Sequence, residues 1–111
     1  MSNNCIFCNL IRSGETEFLY EDDKFVALND INPQSPVHLL IVPKKHISGL
    51  NDADGGITGA AMDIARRLAY EKNVSVSGYR VVVNCNEDGG QTVGHLHFHL
   101  LGGRRMKWPP G

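Results

Sequence analysis

No run of residues in this sequence is long and apolar enough to cross a bilayer as a helix. A surplus of charge is also missing: 11 basic against 12 acidic residues leave a formal net charge of -1. That balance gives no general pull toward nucleic acid or anionic lipid, so any anion must be recognised by a local site. Cysteines number only 3, an odd count, with two of them spaced as Cys5-Ile6-Phe7-Cys8. This excludes a secreted disulfide scaffold and fits a reducing, cytoplasmic setting. The first residues carry no basic region followed by an apolar run, so no leader is expected. What remains, 111 residues of ordinary apolar and charged content, reads as one compact globular domain.

Against this plain background one segment stands out, His95-Leu96-His97-Phe98-His99, followed by Leu100-Leu101-Gly102-Gly103. As a strand it places the three imidazoles on one face, roughly 7 Å apart, with Leu96, Phe98 and Leu100 on the other. Imidazole is a nucleophile, a general acid or base, and a metal ligand. Burying three together costs several kcal/mol unless each is hydrogen-bonded or liganded, so a functional site is favoured over packing. The residues alone leave metal and covalent chemistry both open.

Elsewhere the pattern mixes helices and strands without regular alternation. Residues 5–13 carry Ile6, Leu10 and Ile11 at helical spacing and stop at Gly14. Residues 18–20 and 25–28 flank an acidic turn as a hairpin, and residues 30–36, with two prolines, form a loop. Val37-His38-Leu39-Leu40-Ile41-Val42 is a central strand ended by Pro43, with His38 on it and His46 just beyond. Residues 51–56 read as loop. Ile57, Ala60, Ala61, Ile64 and Leu68 mark one face of a second helix, running from 57 to about 72. A strand over residues 79–85 and a glycine-rich turn over 86–90 lead into the histidine strand. The order implies an α+β fold: a single domain with a largely antiparallel sheet and two helices on one side.

With these segments placed, the sequence resembles the histidine triad (HIT) family, and within it the nucleotide-binding, purine nucleoside phosphoramidase-like branch. The resemblance rests on His95-Leu96-His97-Phe98-His99-Leu100-Leu101, Asp30-Ile31-Asn32-Pro33-Gln34 and Pro43-Lys44-Lys45-His46-Ile47. It extends to Gly78-Tyr79-Arg80-Val81-Val82-Val83-Asn84, Asp88-Gly89-Gly90-Gln91 and the end, Trp108-Pro109-Pro110-Gly111. The nucleotide-sugar transferase branch has glutamine where this chain has His99. The diadenosine polyphosphate hydrolase branch usually places Pro-Arg where this chain has Gly102-Gly103.

The resemblance implies a HIT domain over residues 1–111 and a hydrolase of purine nucleoside 5′-phosphoramidates, releasing an amine and AMP or GMP. His97 would be the nucleophile, and His99 would set its tautomer and bind phosphate. His38 would complete a relay, and Thr92 would supply a hydroxyl. Asp30 would bind the ribose diol, with Ile6, Phe7 and Ile31 forming the base slot and Asn84 bonding near ribose and phosphate. The Gly89-Gly90-Gln91-Thr92 turn would cradle phosphate with backbone amides. No cofactor is required for this catalysis. Cys5 and Cys8, with His46 and His95, would form a closed Cys₂His₂ site for a structural zinc ion, as in some bacterial members. Residues 104–111, with Trp108, would reach the partner's active site in a two-fold homodimer that joins the sheets. Neither nucleic acid nor membrane is an expected partner. A nucleotide-binding regulatory module with little turnover, or a dinucleoside polyphosphate hydrolase, is the alternative reading. Cys85 reads as a small buried residue.

Overall fold

Alternating apolar side chains sort the strands of this protein onto two faces of one sheet. The computed structural model describes residues 4–111, and the first three residues of the stretch read for a leader lie outside them. Helix α1 spans Ile6–Ser13, β1 Tyr20–Glu21, β2 Phe25–Asn29, β3 Val37–Pro43, α2 Gly55–Glu71, β4 Tyr79–Val82 and β5 Phe98–Gly102. Among the described residues the sheet has five strands, in the order β1-β2-β3-β5-β4, each pair antiparallel. The last strand in sequence thus inserts beside the central one. Its register sets Leu40 opposite His99 and His38 opposite Leu101, so both histidines share a face.

Phe25 and Ala27 of β2, Leu39 and Ile41 of β3, and Leu96, Phe98 and Leu100 meet Ala61, Ile64, Ala65 and Leu68 of α2 in one core. The alternate residues Val26, Leu40 and Val42 form a second core with Cys5, Phe7 and Cys8 of α1. The helices therefore cover opposite faces, correcting the expectation of both on one side. The continuous apolar run of β3 is the reason: with no polar face, it needs cover from both directions. Among the described residues no helix is long and apolar enough to cross a membrane.

Several boundaries also move. α2 begins at Gly55, not 57, because Asp54 caps it by accepting the Ile57 N–H at 2.9 Å, and a 3-10 turn occupies Leu50–Asp52. Pro43 belongs to β3 as its last residue. β4 stops at Val82, whose partner is His99, so residues 83–85 leave the ladder toward the turn. On α1 the buried positions are Phe7 and Cys8, while Ile6 is 55% exposed. Two cysteines seated against the sheet rotate the helix away from its Ile6 face. Cys85 is half-buried rather than buried.

Candidate functional site

β5 proper starts at Phe98, so His95 and His97 precede the ladder instead of lying within it. Their alternation persists because Leu96 is anchored in the α2-side core and its N–H donates to the Ile47 carbonyl at 2.7 Å. His97 and His99 thus stay neighbours, their ring centroids 5.1 Å apart and the rings inclined at 64°.

The hydrogen-bond network assigns each ring a tautomer. The Gln34 N–H donates to His38 Nδ1 at 3.0 Å, which leaves His38 Nε2 carrying the proton. That Nε2–H donates to His99 Nδ1 at 2.9 Å and lies 3.4 Å from Asp30 Oδ2. His99 consequently carries its own proton on Nε2. His97 Nδ1–H donates to the His95 carbonyl at 2.8 Å, so His97 Nε2 holds a free lone pair. The expected role of His99 in setting the His97 tautomer passes to this backbone carbonyl. Burial, then the neighbouring His97 and His38 rings, pushes the His99 pKa down to about 4, so His99 is a neutral donor at neutral pH.

Beside these rings lies a cavity of about 240 Å³, open to solvent, with a largely apolar wall. Ile6, Phe7, Asp30, Ile31, Thr92, His97 and His99, all expected at the site, line it together. Sequence reasoning missed Leu10, Leu28, Asn29, Leu40 and Val93 in its wall. Leu28 and Leu40 could have been found from the β2–β3 register, which pairs them on the histidine face. Ile31 is almost fully exposed at the rim, available to a flat ligand. Asp30 Oδ1 accepts the Asn32 N–H at 2.8 Å, yet a carboxylate has further lone-pair sites for a diol.

Other expected residues stand outside this cavity. The N–H groups of Gly90 and Gln91 donate to Glu87 O and Asn86 O, both at 3.0 Å, and close the turn. The Gln91 carboxamide donates to Ser48 O and Val93 O and accepts the Asn86 N–H. The Gly90 and Gln91 backbone amides are thus engaged within the loop, and Thr92 is the member of the expected phosphate turn on the cavity wall. Asn84 is half-buried and absent from the cavity lining. Trp108 is 82% exposed, on a segment tied down by Arg104 Nε–H to Gln34 O and Arg80 to Lys107 O, each 3.0 Å.

The first triad histidine turns the other way. His95 is fully buried, and its Nε2–H donates to Pro43 O at 2.8 Å, leaving Nδ1 as a lone pair. That nitrogen faces Cys5 Sγ at 3.2 Å and Cys8 Sγ at 3.5 Å, while His46 Nδ1 lies 3.2 Å from Cys8 Sγ. The four donor atoms all fall within 4.8 Å of one another. Tetrahedral zinc, with bonds of about 2.3 Å to sulfur and 2.0–2.1 Å to nitrogen, needs donor separations of about 3.3–3.8 Å. The donor set fits a closed tetrahedral metal, and the Pro43 carbonyl orients His95 as an outer partner should. Burial lowers the His95 pKa, keeping the ring neutral, and burial with the adjacent Cys5 raises that of the Cys8 thiol.

Comparison with known proteins bears on both sites. Residues 12–106 match the model of the HIT domain. An uncharacterized HIT-like protein of Synechococcus elongatus is 42% identical over 115 aligned positions, covering all of both chains. A HIT family hydrolase from Legionella pneumophila superposes with a TM-score of 0.91 at 46% identity, over 97% of this chain and 100% of that one. A zinc-bound histidine triad family protein from Mycobacterium smegmatis superposes with a TM-score of 0.80 at 28% identity, over 91% and 76%. The alternating histidines that lead into the inserted fifth strand, and a match running through most of the chain, lead to one conclusion: this protein belongs to the HIT domain family.

Proposed function

We propose that this chain is a purine nucleoside 5′-phosphoramidate hydrolase that passes the nucleotidyl group through His97 to water. The observation that carries the reading is the tautomer of His97, whose Nδ1–H is held by the His95 carbonyl so that Nε2 keeps its lone pair beside the cavity. In the first step Nε2 attacks the α-phosphorus and the P–N bond breaks. The departing amine takes its proton from solvent, to which the cavity is open, while the neutral His99 would donate Nε2–H to a phosphate oxygen and the His38 Nε2–H bond would hold that tautomer. Water then attacks the nucleotidyl-imidazole, releasing the nucleoside monophosphate and restoring His97. Two displacements of moderate difficulty replace one hard displacement.

Ile6, Phe7 and Ile31 would sandwich the purine, Asp30 would accept the ribose hydroxyls, and Thr92 and His99 would meet the phosphate. The Legionella relative's description as a hydrolase supports turnover over a binding role alone. Cys5, Cys8, His46 and His95 would hold a structural zinc ion, as the Mycobacterium relative's bound zinc supports; catalysis by His97 needs no metal. A two-fold dimer would join sheets through β4, an edge strand with one unpaired side, and bring the exposed Trp108 to the partner's cavity. The three cysteines, all free, suit the reducing cytoplasm.

Amine release from adenosine 5′-phosphoramidate by wild type and His97→Ala tests the reading. The variant should be slower by about 10³-fold or more, since nucleophile and proton positioning are lost together. Equal rates would remove His97 as the nucleophile.

A further inference from the structure

The sulfur–imidazole cluster and the cavity share one helix and one residue. α1 and its cap direct Cys5 and Cys8 into the cluster, while Ile6, Phe7 and Leu10, from the same two turns, wall the cavity. The Phe7 ring packs edge-on to His95, centroids 5.7 Å apart, and tilted against His97 at 5.3 Å. One side chain therefore bridges a cluster ligand and the nucleophile. On the strand side His95 links the sites again: its Nδ1 faces both sulfurs and its carbonyl holds His97 Nδ1–H. A second opening of about 330 Å³, lined by Cys5 and His46, shares Ile6, Thr92 and Val93 with the cavity.

Apart from these links, α1 is seated by Phe7 and Cys8 in the second core, with Leu10 and Ile11 packed half-buried against it. It has eight residues, of which Phe7 and Cys8 are buried. A helix below about 12 residues is marginal alone, so its seating depends on what ties it to the sheet. An ion bonded to Cys5 and Cys8 on one side and to His46 and His95 on the other is such a tie.

We propose that zinc in the Cys5–Cys8–His46–His95 cluster and nucleotide in the cavity are thermodynamically coupled through α1 and His95, so that each tightens binding of the other. His95 is then a positioning residue for His97. The proposal rests on the nucleotide and zinc readings above. Coupling between two sites is reciprocal, so AMP raises zinc affinity by the factor by which zinc raises AMP affinity.

The experiment measures AMP binding by calorimetry to zinc-loaded wild type, to chelator-stripped wild type and to His46→Gln. His46 is absent from the cavity lining and lies outside both α1 and the histidine strand, so its replacement removes a cluster ligand without changing a residue of the cavity. AMP affinity should fall roughly tenfold or more in both metal-depleted forms, and added zinc should restore it in wild type. Competition of a chelator for zinc on the loaded protein, with and without AMP, should give the same factor. That arm decides the matter even where the stripped protein unfolds. The His97 ring nitrogens, distinct in the ¹⁵N spectrum of the loaded form, should average toward each other when zinc is removed. Equal AMP affinities and an AMP-independent zinc affinity overturn the coupling alone. A zinc-loaded chain that fails to bind AMP overturns the nucleotide reading and the proposal with it, and a chain that retains no zinc overturns the metal reading likewise.

Discussion

Acidification should destabilise the fold in a window set by His99. Its pKa sits at about 4 in the folded chain, from the ordinary 6.5, chiefly because burial disfavours the charged ring, with His97 and His38 adding repulsion. The unfolded chain therefore binds a proton at higher pH than the folded one. Stability from this group is complete above pH 6.5, falls as pH drops from 6.5 to 4, and changes little further below. At 1.36 kcal/mol per pH unit the full difference would be about 3 kcal/mol. The ring is half-buried, so screening by solvent leaves about 1–2 kcal/mol. The control is His99→Asn, whose side-chain oxygen can still accept the His38 Nε2–H but cannot titrate. Urea unfolding of both proteins from pH 8 to pH 4, with chelator present throughout, isolates the His99 contribution. The stability difference between them should shrink by about 1–2 kcal/mol across the window, a midpoint change on the order of 1 M urea. A difference that stays constant with pH would refute the argument, because it would mean that His99 is equally protonated in both states.

Two further outcomes follow from local geometry. Gly89→Ala should destabilise the loop before the histidines by about 1–3 kcal/mol, since its Cβ would sit 2.4 Å from the Cys85 carbonyl oxygen and 2.8 Å from the Cys85 nitrogen; thermal unfolding checks this, and an unchanged midpoint would contradict it. Asp54→Ala should cost about 0.5–2 kcal/mol by removing the cap on the Ile57 N–H, read from urea unfolding, whereas Asp54→Asn should recover most of the loss.

Much of this protein is determined by its sequence alone. The period-two pattern of His95 to Leu100 placed Leu96, Phe98 and Leu100 in one core and the imidazoles away from it, even though the ladder begins only at Phe98. Apolar spacing along α2 and the unbroken run of β3 likewise marked their buried positions. Those signals are local, and they survive because the apolar face of each element must be covered. What stayed illegible depends on contacts between residues far apart in the chain. α1 covers its side of the sheet with Cys5 and Cys8 meeting His46 and His95, a contact that the Ile6, Leu10 and Ile11 spacing within the helix does not reveal. Within the expected phosphate turn, Gly90 and Gln91 direct their amides to Glu87 and Asn86, a pairing that the glycines alone do not reveal. Sequence determined that three imidazoles share a face. Tertiary structure decided which nitrogen of each is free, because the Gln34 amide, the Pro43 carbonyl and the His95 carbonyl fix where the protons sit.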